Sequence, residues 1–422
     1  MTEPNRLYGP NRLTADNRPK SEGPYKEIGP VHDPRDEDCD FEVLEHFERF
    51  NQVNDIYCRG QWDQRIRSEK VINWFKSMFI TGINVKNRKG YTLKDFALKN
   101  AGWSGANLVI QRSLDRGRTD GFLDDITQYE PPNRDKVPVD DPKEMTAEIK
   151  QVCKFFGADL VGITSTDLRW HYTNSFDAKK LEEKPHGIPE DLQNTIVIGT
   201  EMARNVIKTY PSATAGVATG YGYSRDAQTL QSIAAFIQGM GYRAVASLND
   251  TANRVPYAIQ AGLGEYGRHG MVITKEFGPR LRFGQIFTDL PLTHDKPIKF
   301  GVKEFCQVCR RCADACPPQA IPHAEAQSAI INQSNLVGVR KWTVDAEKCF
   351  KFWTDQGTEC GICIRVCPYN KASTIWYERF YFGFWRWLAS TPLRRVALWL
   401  DIRLGFGGAK SSTWWWKTHP RR

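Results

Sequence analysis

Eight of the chain's eleven cysteines fall between Cys306 and Cys367, and their spacing restricts the fold more than any other feature. Cys306, Cys309, Cys312 and Cys316 form C-x2-C-x2-C-x3-C, closed by Pro317. Cys349 is followed, after ten intervening residues, by Cys360, Cys363 and Cys367 in C-x2-C-x3-C, closed by Pro368. Two-residue gaps let a tight turn aim successive thiolates at the irons of one cubane. In two-cluster ferredoxins the fourth cysteine of such a run ligates the other cluster. The pattern therefore predicts one 4Fe–4S cluster on Cys306, Cys309, Cys312 and Cys367, and a second on Cys316, Cys349, Cys360 and Cys363. The set-back first ligand, Cys349, inserts a loop beside the second cluster. A pair of four-cysteine zinc sites is the alternative, but the proline-closed run is far more typical of clusters. Cys39, Cys58 and Cys153 are scattered, and are expected to be small core side chains.

A relay for electrons does no chemistry alone, so the rest of the chain has to supply it. With 422 residues, two or three domains are expected. Hydrophobic residues at 41% and charged residues at 25% describe an ordinary globular protein. No apolar run reaches the roughly 18 uncharged residues of a membrane-spanning helix. The opening "MTEPNRLYGPNRLTADNRPK" has no apolar stretch and does not read as a secretory signal. A cytoplasmic protein, or a processed form of an exported one, is expected.

Residues 1–140 are polar and rich in Pro, Asn and Asp, with helical pieces such as "DFEVLEHFERFNQV", and are expected to pack on the core as an N-terminal region. The turn-rich "YEPPNRDKVPVDDPKE" reads as a boundary. Residues 141–300 alternate helix and strand: "MTAEIKQVCKFFGADLVGIT" is an amphipathic helix leading into a strand, and "NTIVIGTEM" is a buried strand. "DAQTLQSIAAFIQGMGYRAVAS" is a helix closed by Gly241, then a strand. The cysteine module occupies 301–372, and a basic, tryptophan-rich extension runs from 373 to 422. Between Lys371 and Arg422 ten basic residues face two acidic ones, Glu378 and Asp401, and seven of the thirteen tryptophans lie there. Such a tail suits an acidic partner, a membrane surface or nucleic acid; the plainer expectation is that it wraps the body and buries its rings.

"GLGEYG" at 262–267 fits G-x-G-x-x-G, yet no clear strand–turn–helix unit surrounds it, which argues against a nicotinamide or flavin fold. Gly262, Gly264 and Gly267 still permit close backbone approach to a flat or phosphorylated cofactor.

Taken together, "GYSRD", "LNDTANRVPYAIQAGLGEYGRHGMVITKEFGPRLR", "FTDLPL", "FGVKEFCQVCRRCADACPPQAI" and "CGICIRVCPYNK" resemble the cobalamin-dependent reductive dehalogenases over about residues 145–372. The N-terminal region matches loosely, as does the tail apart from "SSTWWW". The resemblance implies an α+β or α/β fold, with a nitroreductase-like cobalamin-binding core at 141–300 fused to a two-cluster ferredoxin-like module. It implies a base-off corrinoid, and the chain accordingly lacks the D-x-H-x-x-G signature of enzymes that place a histidine on cobalt. It maps a proton-donating tyrosine to Tyr223, and its partners to Asn249 and Arg282. A guanidinium near a phenol stabilises the phenolate left after proton transfer, and Arg282 with Asn249 would hold developing negative charge. Tyr221 competes for the donor role because, on a strand, it would share a face with Tyr223. Trp353 matches a position that walls the substrate pocket, and Trp103 is a second candidate, with plain packing equally open for both. His171 and His269 are expected to hold ordinary hydrogen-bonded roles.

The implied activity is reductive cleavage of a carbon–halogen bond, fed through the clusters by an external low-potential donor, since no fused reductase domain follows the module. A small membrane-anchor subunit and a homodimer are open as partners, and nucleic acid is not expected. The outer face of the cytoplasmic membrane is the expected location, with the cytoplasm as alternative. Two other readings compete: an epoxyqueuosine reductase-like tRNA-modifying enzyme, whose donor would be aspartate, and a non-catalytic electron carrier or corrinoid-binding protein.

Overall fold

The computed structural model describes residues 33–123, 135–327, 329–371 and 376–418. The first twenty residues, and the start of the "YEPPNRDKVPVDDPKE" boundary, lie outside them. The N-terminal region contributes β1 (Glu42–Val43), α1 (Ile56–Trp62), α2 (Glu69–Lys76) and α3 (Leu93–Arg116). Helix α3 starts where it does because Thr92 and Asp95 form a reciprocal capping box, and it stops at Gly117, which takes φ 64°.

The next segment holds α4 (Pro142–Phe155), β2 (Leu160–Ser165), β3 (Asn174–Asp177), β4 (Glu182–Pro185), β5 (Asn194–Glu201), α5 (Arg204–Ile207), α6 (Ala213–Gly239) and β6 (Ala244–Ser247). It continues through α7 (Arg254–Gln260), β7 (Glu265–Tyr266), β8 (Val272–Ile273) and β9 (Leu281–Thr288). Strands β2, β5, β9 and β6 form one sheet in that order, and every neighbouring pair is antiparallel. The alternation of helix and strand is kept from β5 through α6 to β6: α6 carries the chain past one vacant place to β6, parallel to β5, and β9 returns antiparallel to both to fill it. The fold is α+β.

Strand β5 shows why a continuous apolar run was needed. Ile196 and Ile198 point into the core under α6, with Leu230, Ile233 and Ile237. Val197 points to the opposite side, where Tyr257, Phe283 and Phe287 lie. Both faces of the sheet are thus covered, and alternate residues serve different cores. Each such side chain, fully buried, contributes roughly 1.5–3 kcal/mol.

The cysteine module comprises α8 (Val302–Val308), α9 (Arg311–Asp314), β10 (Val339–Arg340), α10 (Ala346–Gln356) and α11 (Ile362–Val366). Strand β10 pairs with β1, so the N-terminal region is stitched to the module between its two cysteine sets. The tail forms α12 (Trp376–Ser390), α13 (Arg394–Leu404) and α14 (Ser412–Thr418). Part of it wraps the body as expected. Trp385 is fully buried and donates to the Ala397 carbonyl at 2.8 Å. The Trp416 indole donates to Asp95 at 2.9 Å. Asp401, fully buried, pairs with Lys371 at 2.6 Å and with Arg311. Other rings of the tail remain outside: Phe380, Phe384, Trp387 and Trp399 are exposed.

Candidate functional site

Tyr223 sits in the middle of α6, in a stretch made of small residues. Ser212 caps the helix by accepting from the Ala215 amide, and no proline interrupts it before Met240. The helix begins well before the expected "DAQTLQ" segment and takes in the whole of "GYGYSRD". This corrects the pairing of Tyr221 with Tyr223 on one face. Two residues along a strand share a face, but along a helix they stand about 200° apart. Tyr221 is exposed, whereas Tyr223 is half-buried among charged and aromatic groups.

Glycines let those groups approach. At Gly220 an added Cβ would strike the Trp103 indole, and at Gly222 it would lie 2.7 Å from Arg282 Cγ. Trp103, from α3, stacks on Tyr223 with centroids 5.1 Å apart and planes inclined by 27°. Arg282, from β9, holds its guanidinium carbon 3.8 Å from the Tyr223 ring centroid. Arg254, the first residue of α7, donates from Nη2 to the Tyr223 hydroxyl at 3.4 Å, and from Nη1 to the Phe283 carbonyl. Burial by itself would push the Tyr223 phenol up. Arg282, then Arg254, outweigh it and bring it below its ordinary value of 10.0. One helical turn on, Asp226 is fully buried, and burial pushes its carboxyl up to about 6 against the pull of Thr200, Arg282, Arg254 and Arg225.

Arg254 also lines a cavity of about 320 Å³, enclosed by Phe41, Trp170, Tyr172, His269, Lys341 and Val344 among others. The wall is contributed by the N-terminal region, α7 and its following loop, and the segment leading into α10. It presents basic and hydrogen-bonding groups, Arg254, His269 and Lys341. The Met271 amide donates to Nδ1 of His269, leaving its buried Nε2 without a partner. Burial lowers the Lys341 amine to about 8. A cofactor rich in amide and phosphate oxygens fits such a lining.

Gly262, Gly264 and Gly267 do not line the cavity. Their missing side chains make room for the chain itself: an added Cβ at Gly262 would lie 2.5 Å from the Lys296 carbonyl oxygen, and one at Gly264 would strike the Ile273 carbonyl. At Gly267 it would come 2.8 Å from the His269 ring. Gly270, just beyond the motif and at φ +80°, is the glycine in the wall. Asn249 lies exposed in the loop after β6. Its carbonyl accepts from Tyr172, a cavity-wall residue, at 3.5 Å. Trp353, on α10, packs against Trp74 at 6.2 Å and Tyr57 at 6.1 Å. His171 hydrogen-bonds the Tyr257 hydroxyl at 2.8 Å.

Three contributors carried no assignment from sequence: Arg254, Asp226 and Tyr57. The first two lie inside the quoted motifs. Tyr57 lies in α1, and its phenol is pushed up by burial, then by Tyr223, Asp55 and Cys349, with Arg282 acting the other way. Its ring packs against Phe350 at 5.4 Å and Trp353 at 6.1 Å on α10, the helix that carries Cys349.

Among the described residues no three of His, Cys, Asp and Glu converge tightly enough for a single metal ion. The thiols form two wider groups, as a four-iron cube requires. Cys367 is pushed well up by burial, then by Cys306, Cys312 and Cys309. Cys349 is pushed up to about 12 by burial, then by Cys360 and Cys316. Cys363 responds to burial, then to Cys360, Cys349, Cys312 and Cys316. The buried Arg268 guanidinium clamps the first set by donating to the Cys306 carbonyl at 2.7 and 3.0 Å. Cys39 and Cys153 are buried and Cys58 half-buried, each apart from these groups.

Comparison with known proteins agrees with this division. A family model for a 4Fe-4S double cluster binding domain matches residues 305–370, and one for a reductive dehalogenase subunit matches residues 180–292. The tetrachloroethene reductive dehalogenase of Sulfurospirillum multivorans is 35% identical over 358 residues, covering 76% of this chain and 69% of that protein. That of Desulfitobacterium hafniense is 37% identical over 270 residues, covering 55% of this chain and 49% of that protein. A solved reductive dehalogenase structure, one that suggests a mechanism for B12-dependent dehalogenation, superposes with a TM-score of 0.66 at 22% identity. The match covers 87% of this chain and 48% of that one. The chain thus spans about half the length of the last two and about two thirds of the first. On the cysteine module, the α+β core and this extent of sequence identity, the chain belongs to the reductive dehalogenase family.

Proposed function

We propose that this chain is the catalytic subunit of a reductive dehalogenase that replaces halogen by hydrogen in an organohalide. The overall change takes two electrons and one proton and releases halide. The observation that carries the reading is the triangle of Tyr223, Arg282 and Arg254 beside a cavity whose wall includes Arg254. Arg254, His269 and Lys341 would hold a cobalamin there through its amide and phosphate oxygens. Such a group supplies, when bound, the low-potential reductant that breaks a carbon–halogen bond.

The remaining steps belong to the protein. Tyr223 Oη holds the proton that the electron-rich carbon takes up. Arg282 and Arg254 stabilise the phenolate left behind, so the transfer meets a smaller barrier. Trp103 stacks on the ring and fixes it, and its apolar face keeps water from competing as proton source. Asn249, in the loop after β6 whose carbonyl accepts from Tyr172, would steady the halogen-bearing end of a substrate. Cys306, Cys309, Cys312 and Cys367 would carry one 4Fe–4S cluster, and Cys316, Cys349, Cys360 and Cys363 the other. Cys349 of the second set lies on α10, whose Trp353 packs on Tyr57. Electrons come from an external low-potential donor. The membrane's outer face, with a small anchor subunit, is the setting this reading assigns. Chlorinated ethenes are the first substrates to test, because the relatives named above act on tetrachloroethene.

Tyr223→Phe provides the test. Protein loaded with cobalamin and iron–sulfur clusters is assayed by reduced-viologen oxidation against a halocarbon panel. Dehalogenation is expected to fall by ~10²-fold or more, while corrinoid absorbance and iron content stay unchanged. Undiminished turnover would overturn the donor assignment. No halide release from any substrate by the parent enzyme would overturn the activity.

A further inference from the structure

Helices α12 and α13 form a pair whose outer surface is neither polar nor covered. On α12, Phe382, Trp385, Leu388 and Ala389 face the body and are buried. Phe380, Phe384 and Trp387, spaced i, i+4, i+7, lie on the other side, with Phe380 78% and Trp387 58% exposed. On α13, Ala397 and Asp401 point inward, while Val396, Trp399, Ile402 and Leu404 point out. Leu393, in the turn between them, is also exposed. The two outer stripes adjoin because the helices pack on one another, with the Trp385 indole of one bonded to the Ala397 carbonyl of the other.

Charge around this surface is of one sign. Arg379, Arg395 and Arg403 are exposed beside the apolar side chains. The acidic residues of the pair are Glu378, 4.0 Å from Arg204, and Asp401, which is buried against Lys371 and Arg311. Contiguous exposed apolar surface of this kind marks an interaction site. Its chemistry selects among occupants. A second copy docking face to face would set arginine against arginine. An anionic bilayer surface instead accepts the aromatic and aliphatic side chains into its headgroup–acyl boundary and pairs the flanking arginines with phosphates. No helix among the described residues is long and apolar enough to cross a membrane, so this pair would lie along the surface.

We infer that α12 and α13 are a direct lipid-docking surface for anionic membranes, engaged by Phe380, Phe384, Trp387, Trp399 and Ile402 and bordered by Arg379, Arg395 and Arg403. The contact does not depend on an anchor subunit, nor on the chain being a dehalogenase.

The test is flotation of the full, cofactor-loaded chain with vesicles of phosphatidylcholine alone, or with about 30% phosphatidylglycerol. The parent protein is expected to float with the anionic vesicles, to bind neutral ones several-fold more weakly, and to lose part of that difference in high salt. Phe384→Glu with Trp387→Glu should weaken binding by at least ~10-fold. Arg379→Glu with Arg395→Glu and Arg403→Glu should abolish the preference for anionic lipid. Both variants should keep the parent's corrinoid and iron content and its solution halide release, which separates lost docking from lost folding. The inference fails if the parent protein binds neither vesicle, or if the variants bind as well as the parent. It fails equally if the Glu substitutions act only by converting a dimer to a monomer in sedimentation, or if binding requires an added anchor protein.

Discussion

A phenol serves as a general acid only while it still carries its proton, and the arginines beside Tyr223 limit that range as well as assisting it. Burial raises the phenol, and Arg282 and Arg254 together bring it below 10.0. With a lowered value the sign is fixed: the donor form is held below that value and disappears as pH rises through it. Dehalogenation should therefore decline on an alkaline limb lying below pH 10. In Arg282→Met burial faces less opposition, so the limb should move upward by about one pH unit or more. The rate at pH 7 should drop by ~10²-fold as the phenolate loses its stabilising charge. A pH–rate profile decides it, and a limb that stays in place would detach Arg282 from Tyr223. Tyr223 and Arg282 were legible in sequence because each stands in a motif that resembles a family pattern. Arg254 and Asp226 stood inside those same motifs without a role, because only the folded chain shows an arginine at the phenol oxygen and a carboxylate one turn away. Tyr57, more than 160 residues from Tyr223 in sequence, had no signal at all.

At the level of elements, α6 owes its use to where it lacks side chains. Gly220 admits the Trp103 indole and Gly222 the stem of Arg282. Gly239 on the same helix has nothing within 4 Å of an added Cβ. Gly239→Ala should raise the unfolding midpoint slightly, by the helix preference of alanine, worth up to ~1 kcal/mol. Gly220→Ala should lower it in spite of that gain, because overpacking costs about 1–3 kcal/mol, and should lower turnover by displacing Trp103. Thermal melts and halide assays of the pair test this; equal midpoints would mean the glycines merely fill a helix. The same element shows what periodicity concealed. "GYGYSRD" has no apolar alternation to announce a helix, so Tyr221 and Tyr223 could be set on one strand face. The capping serine and the small residues instead carry the helix through them. Likewise "GLGEYG" was readable as a place of close approach, but the approaching group is the chain's own backbone. Strands β2, β5 and β6 were legible as apolar runs, whereas β9, which was not read as a strand, sets the antiparallel order by returning between β5 and β6.

For the whole molecule, the cysteine spacing predicts two clusters, with Cys367 joining the first set and Cys316 the second. With that pairing, Cys367→Ser and Cys306→Ser should perturb one and the same cluster signal in low-temperature electron paramagnetic resonance. Cys316→Ser and Cys349→Ser should perturb the other. Matching spectra for Cys367→Ser and Cys360→Ser would dismantle the cross-ligation. The tail was half legible: its basic, aromatic character was plain, but which rings turn inward depends on Ala397 and Trp385 meeting.

One buried carboxylate gives this arrangement a direction. Asp401, on α13, is held between Lys371 and Arg311, the first lying just after Cys367 and the second between Cys309 and Cys312. The outward-facing helices and the first cysteine set are thereby riveted at one point. The molecule cannot rest on its tail without turning that same flank downward. Whatever surface receives the tail therefore lies on the flank of the first cysteine set. A single aspartate thus acts as a keel.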